Sequence, residues 1–215
     1  MKPTSSGCRP PDGDTIGDHP RKKRLQVKLG TLVLVVGPSG AGKDTLIAAA
    51  KRKFHDQPNI TFPQRVITRP EGIGEDHLPV SRKEFQQRVR DGAFFLSWQA
   101  HGFHYGVTAE VITDLNAGRS VVVNVSRDVV ERACTEWRKT QIVQVTVALD
   151  ALKARLEARG RENQDDIAKR LARASLIKEM PLHAMDLIDN SGHLPTAIRK
   201  FNALIARYAG CKAKR

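Results

Sequence analysis

Directly after Val36 the chain reads Gly37-Pro38-Ser39-Gly40-Ala41-Gly42-Lys43, a G-x-x-x-x-G-K spacing. That spacing suits phosphate. Glycines let backbone N–H groups close around phosphate oxygens, a following helix turns its positive end toward them, and the lysine reaches the β- and γ-phosphates. The chemistry requires a strand before the loop and a helix after it. Both are expected: Leu29–Val36 is a continuous apolar, β-branched run suited to a buried parallel strand, and Lys43–Phe54 reads as a helix. A glycine-rich turn that merely carried a lysine would lack this context. Lys43 is therefore the first candidate catalytic residue, and Gly37, Pro38, Ser39, Gly40, Ala41, Gly42, Lys43, Asp44 and Thr45 are candidates to bind the phosphates of ATP.

Asp44 departs from the usual motif, which has Ser or Thr beside Mg²⁺ at that position. A carboxylate is also a good hard-oxygen ligand for Mg²⁺, which makes Asp44 the candidate metal ligand. The apolar strand Ser120–Val125 ends in Asn124 and Ser126 rather than in an aspartate, so Asp44 could supply the missing carboxylate. The alternative is that Asp44 only caps the helix N-terminus. Sequence leaves both readings open.

A second group of chemistry-bearing residues lies further on. Arg155, Arg159, Arg161, Arg170 and Arg173 flank the polar stretch Gly160–Asp165. Arg155 and Arg159 are spaced i,i+4, and Arg170 and Arg173 i,i+3, so each pair shares a helix face. Two such faces joined by a polar turn form a lid over about 155–173 that could close on a triphosphate. Glu157, Glu162, Asp165 and Asp166 lie among them, so a solvated, salt-bridged helix pair is the competing reading. Arg159 and Arg170 are the candidates for catalysis, with Arg155 and Arg161 on the nucleotide.

The elements that would carry these groups alternate. Val66–Thr68, Ala93–Trp98, Ser120–Val125, Gln141–Leu149 and Leu187–Ile188 read as strands. Helices are expected from Ser81 (a capping box with Glu84) to about Arg90, over Thr108–Ala117, to about Arg138, from the cap Asp150 to Arg159, and over Pro195–Tyr208. That pattern predicts a three-layer α/β fold with a parallel sheet. With 215 residues, one domain over 29–208 is expected.

The net charge of +13 is uneven. Residues 1–28 and the tail from Arg207 each contribute +4, leaving +5 for the part that folds. Residues 1–28, rich in Pro, Gly, Asp and Lys, read as a disordered basic extension without a secretory h-region, and 209–215 as a basic tail. The basic runs lack interleaved aromatics, so nucleic acid is not an expected partner; nor is a membrane, because no apolar run approaches roughly 20 residues. Cys8, Cys134 and Cys211 are scattered, which fits a reducing cytoplasm. Removal of residues 1–28 is expected to leave activity and Tm nearly unchanged, since their composition cannot offset the ordering entropy. A large fall in either quantity would show that the segment packs on the domain.

The order of Gly37–Leu46, Ile67-Thr68-Arg69, Gly102–Gly106 and Arg155–Arg173 resembles a guanylate-kinase-like protein across about residues 30–206. The segments GPSGAGKDTL, VITRP, SWQAHGFHYGV and RLEARGRENQDDIAKRLARA are similar to the ribose 1,5-bisphosphate phosphokinase family. The resemblance implies a nucleoside monophosphate kinase-like P-loop fold with an acceptor-binding insertion at about 62–107. It also implies ATP with Mg²⁺, and a reaction forming 5-phosphoribosyl 1-diphosphate in phosphonate breakdown. By resemblance, Arg69 and Tyr105 meet the acceptor phosphate, His77 takes the place of another phosphate-contacting residue, and Asn190 lies beside the adenine. The second acceptor arginine of guanylate kinases is Gly72 here, so that carry-over is incomplete.

Aligned by eye, the two positions that hold the guanine edge in guanylate kinases carry Ser97 and Val107. Loss of that carboxylate and hydroxyl predicts poor guanine recognition and leaves space for a second phosphate. Ser97, His101 and His104 are candidates to face it, with Trp98 and Phe103 shaping the wall; either histidine could instead be structural. The expected activity is phosphorylation of ribose 1,5-bisphosphate by Mg·ATP. Two rivals remain: a guanylate or other nucleoside monophosphate kinase, and a non-catalytic guanylate-kinase-like binding module. An intact phosphate loop and arginine lid weigh against the module. Oligomeric state is left open.

Overall fold

The computed structural model describes residues 28–70, 76–159, 167–168, 171–172 and 185–211. Its centre is a parallel sheet built from β1 (Leu32–Val36), β2 (Ile60–Thr61), β7 (Ser120–Asn124), β8 (Thr140–Thr146) and β9 (Met185–Asp189), in the order β2-β7-β1-β8-β9. Every residue of β1 is buried, which is why its sequence is continuously apolar rather than alternating. Alternation still sorts the side chains. Leu32, Leu34 and Val36 pack with Val111, Leu115, Val130 and Ala133 on one face. Val33 and Val35 pack with Leu46, Ala50, Phe201 and Ile205 on the other.

Those partners come from the helical layers. Helix α1 (Lys43–Lys53) and α6 (Leu194–Tyr208) cover one face, and α3 (Glu110–Asn116) and α4 (Val130–Glu136, after a 3-10 turn at Arg127–Val129) cover the other. Helix α5 (Leu149–Arg159) begins one residue before Asp150, so that acid lies in its first turn rather than at its cap. The three-layer α/β expectation holds.

Beside this sheet stands a smaller mixed one, ordered β4-β3-β6-β5, that the sequence reading did not resolve. It comprises β3 (Arg65–Ile67), β4 (His77–Pro79), β5 (Phe94–Ala100) and β6 (Phe103–Thr108), with α2 (Arg82–Arg90) packed on one face through Phe85. Ser81 does cap α2, accepting from the Glu84 N–H at 3.1 Å. The β5–β6 hairpin turns on His101 (φ 51°) and Gly102 (φ 78°), both left-handed, as a two-residue turn between paired Ala100 and Phe103 requires.

Candidate active site

The phosphate loop joins the C-terminal end of β1 to the N-terminus of α1, where ligands of α/β sheets bind. Gly42 is left-handed and precedes α1, whose N-terminus has no side-chain cap. The first N–H groups of the helix therefore remain for a ligand. Gly40 (φ +88°) and Gly42 (φ +89°) could not be alanine without displacement. An added Cβ would stand 2.7 Å from Leu152 Cδ1 at Gly40 and 2.4 Å from Asn190 Nδ2 at Gly42. The loop is thus gripped from behind. Leu152 and Leu156 of α5 form a buried cluster with Ile167, and Asn190 follows β9.

Lys43 folds over the loop, its ammonium donating to the carbonyls of Gly37 (2.8 Å) and Pro38 (2.9 Å). Burial lowers its pKa to about 8. Asp44 opposes the shift, while Arg65 and Arg127 add to it. Desolvation likewise pulls the Arg127 guanidinium below its usual value. Arg65 and Arg127 thus add positive charge around Lys43, an arrangement that favours an anion.

Asp44 makes no hydrogen bond as a helix cap. Its Oδ1 accepts from Asn124 Nδ2 at 2.8 Å and from Arg65 Nη2 at 3.2 Å. The carboxylate therefore ties the start of α1 to the end of β7 and to β3. Thr45 follows it in the exposed part of the first turn.

Asn190 and Arg155 brace the loop. Asn190 is 2% exposed. Its side-chain amide donates to the Ala41 carbonyl at 2.7 Å, and its backbone N–H donates to Thr146. Arg155 donates in turn to the Asn190 carbonyl at 2.6 Å. Sequence reasoning assigned Asn190 to adenine and Arg155 to the nucleotide, and both are found linking α5 and β9 to the phosphate loop. Arg161, Arg170 and Arg173 lie outside the described residues; Arg159 ends α5, and its side chain is also outside them.

The mixed sheet presents one face to this loop. Ile67 pairs with Tyr105, Trp98 with Tyr105 and Leu96 with Val107, so these side chains share a face, joined by Arg65 through the alternation of β3. The Arg65–Asp44 contact shows that this face meets α1. Two residues beyond Ile67, Arg69 sits over the Phe103 ring, 5.7 Å from its centroid. Tyr105 stacks on Trp98 at 5.4 Å. His77 is buried, with Nε2 3.1 Å from the Arg69 carbonyl, so it supports the arginine's backbone.

Ser97 and His104 lie elsewhere. Ser97 pairs with Gly106, and both belong to the opposite face, where Ser97 and His104 line a groove of about 440 Å³ with Phe85, Gln86, Val89 and Arg90 of α2. His104 packs on the Phe85 ring. His101 stands exposed at the hairpin tip. Val107 is 0% exposed in the core, so Ser97 and Val107 do not frame one pocket. The structure brings Lys43 and Asp44 together at the loop, places Tyr105 on the sheet face shared with Arg65, sets Arg69 beyond it over Phe103, and separates Ser97, His101 and His104 from Lys43 and Asp44. It also adds Arg65 and Arg127, which sequence reasoning missed. Their signals were an arginine four residues before Arg69, and a cation just past the end of an apolar parallel strand.

The guanylate kinase family model matches residues 29–208. Among curated proteins, the chain is similar to the ribose 1,5-bisphosphate phosphokinase of Rhizobium etli, with 44% identity over 82% of this chain and 89% of the relative. The corresponding enzyme of Agrobacterium fabrum is 41% identical over 83% of this chain and 98% of its own length. That of Acidiphilium cryptum is 54% identical over 68% and 78% respectively. Among solved structures, guanylate kinase from Anaplasma phagocytophilum superposes with a TM-score of 0.63 at 21% identity, covering 84% of this chain and 87% of that one, a likeness of fold. No helix among the described residues is long and apolar enough to cross a membrane. With the phosphate loop intact and these relatives matched over most of their length, the chain belongs to the guanylate kinase family and, within it, to the ribose 1,5-bisphosphate phosphokinases.

Proposed function

We propose that this chain transfers the γ-phosphoryl group of ATP to the 1-phosphate of ribose 1,5-bisphosphate, forming 5-phosphoribosyl 1-diphosphate and ADP in the cytoplasm. The observation that carries the reading is kinship with ribose 1,5-bisphosphate phosphokinases over 89% and 98% of two relatives' lengths. An oxygen of the 1-phosphate attacks the γ-phosphorus while the bond to the β-bridging oxygen breaks. The acceptor oxygen is already ionised, so no general base is needed. The barrier is the approach of two anions, and cations must offset it.

The residues present suit both cofactors. The glycines let the loop Gly37–Lys43 pack closely on Val145, Leu152 and Asn190 behind it, and the uncapped α1 N-terminus leaves backbone N–H groups for phosphate. ATP phosphates would be held there by backbone N–H groups and Lys43. Among the described residues no three His, Cys, Asp or Glu side chains form a metal cage. One carboxylate beside bound phosphates is a usual Mg²⁺ arrangement, and Asp44 supplies it. Magnesium, when bound, would neutralise charge on the triphosphate. Arg69 and Tyr105 are proposed to hold the acceptor, and Arg159, Arg161 and Arg170 to complete the lid.

A guanylate kinase reading finds less support. Strands β5 and β6 carry no carboxylate to meet the N–H edge of guanine. The deciding experiment is a screen with Mg·ATP of ribose 1,5-bisphosphate against GMP, AMP and UMP. The sugar bisphosphate is expected to exceed each nucleotide in kcat/KM by at least about 10²-fold, because unmatched polar edges are costly. Equal use of GMP would overturn the acceptor assignment and leave the phosphotransferase class standing.

A further inference from the structure

Arg65 occupies an unusual position beside the phosphate loop. It opens β3 on the face turned to the phosphate loop, and its side chain is 15% exposed. Among the described residues one N–H group meets one carboxylate oxygen, Asp44 Oδ1, at 3.2 Å. Asp44 is 54% exposed and is also held by Asn124. A single-point pair of this kind is weak, and a guanidinium has five N–H groups, so a phosphate could take over most of them. Arg65 and Arg127 both act on the Lys43 ammonium beside them.

A second arginine, Arg69, lies four residues on, past the end of β3. Thr68 continues the ladder with His104, its N–H donating to the His104 carbonyl at 3.0 Å and its hydroxyl accepting the His104 N–H at 2.9 Å. Arg65 and Ile67 therefore share one face of β3, and Arg69 lies beyond the end of that strand. Arg65 stands at the phosphate-loop end, beside Asp44, and Arg69 at the far end, over Phe103. Long side chains from both ends can converge on the two phosphates of one small sugar. A nucleoside monophosphate would leave one of the two unmatched.

We infer that Arg65 is a specificity-determining residue for the acceptor, binding the phosphate that receives the γ-phosphoryl group, while Arg69 holds the distal phosphate. This rests on the proposed ribose 1,5-bisphosphate reaction. It assigns the reacting phosphate to Arg65, where the family resemblance points to Arg69. Asp44 then acts as a positioning residue that holds the guanidinium until the acceptor displaces it.

The test uses the full chain with Arg65→Met, Arg65→Lys and Arg69→Met, each first checked for a wild-type melting profile. The probes are Mg·ATP, ribose 1,5-bisphosphate, and ribose 5-phosphate as a competitive inhibitor carrying only the distal phosphate. Arg65→Met is expected to raise KM for the bisphosphate about 10²-fold, as loss of a charge-assisted pair predicts, with KM for ATP changed less than about threefold. Its Ki for ribose 5-phosphate should stay near wild type, whereas Arg69→Met should raise that Ki. Arg65→Lys should recover part of the loss, because lysine restores charge without the fork. The inference fails if Arg65→Met leaves acceptor KM unchanged, raises both KM values alike, or weakens ribose 5-phosphate as much as the bisphosphate. Unfolding of both Arg65 variants would show a structural guanidinium and also overturn it. A wild-type enzyme that ignores ribose 1,5-bisphosphate removes the functional reading itself, which is a different failure from an active wild type matched by an unaltered Arg65→Met.

Discussion

Replacing Lys43 with methionine should lower kcat/KM by about 10³-fold or more and, in the ligand-free protein near neutral pH, raise stability. The first effect follows from its place over the loop, where its charge would meet the transferring phosphoryl group. The second follows from its environment. Burial lowers its pKa from 10.5 to about 8, so the folded state binds this proton more weakly than the unfolded chain does. Between those values the unfolded state carries more protons, and stability must rise with pH across that window. Below about pH 8 the ammonium is charged in both states, and the fold bears a penalty of ~3 kcal/mol as an upper figure. Methionine keeps the length of the side chain and removes that penalty. Denaturant melts at pH 7 should therefore place Lys43→Met above wild type, and the gap should close toward pH 10.5. A wild-type stability that is flat from pH 8 to 10.5, or a variant that melts lower at pH 7, would contradict the assignment of Lys43 as a desolvated cation.

How much of this was legible in the sequence depended on the range of the interaction. The phosphate loop is local: Gly37 to Lys43 lie within seven consecutive residues, flanked by a strand and a helix of ordinary pattern. Ser81 and Glu84 are three residues apart, and that cap formed as read. The mixed sheet was harder. Strands β3 and β4 have three residues each, too few for period-two alternation to stand out. The hairpin turns on His-Gly rather than on Asn-Gly or Asp-Gly, so its usual signal is weak.

The side-chain directions failed for a specific reason. A register irregularity between Phe94 and Leu96 inserts a residue into β5 and shifts the alternation, so Ser97 shares the α2 face with Gly106. Spacing alone cannot reveal a bulge. Arg65 escaped notice because its partner, Asp44, lies 21 residues away, and the bracing role of Asn190 because Ala41 is 149 residues away. Arg155 could be placed on a helix face by spacing, but its acceptor, the Asn190 carbonyl, belongs to the end of another strand. Motifs gave the chemistry of the site. Contacts distant in sequence gave its mounting.

That mounting can be tested at Gly42 and Asn190 together. Gly42→Ala should destabilise the protein by about 2–3 kcal/mol and reduce kcat/KM for ATP by about 10²-fold. Part of the loss is conformational, since φ +89° is unfavourable for a residue with a Cβ. The larger part is the 2.4 Å approach of that Cβ to Asn190 Nδ2, which would push the amide off the Ala41 carbonyl. Asn190→Ala should cost about 1–3 kcal/mol by leaving that carbonyl without its buried partner. The double variant removes the collision, so the two changes should not add. Its loss should fall short of the sum by about 1–2 kcal/mol, because both single changes break the same contact. Denaturant unfolding of the four proteins gives the coupling, and kcat/KM for ATP should follow it if the amide sets the shape of the phosphate cradle. Additive losses would mean that Gly42 matters only for its backbone angle, and that Asn190 braces the loop without determining its conformation.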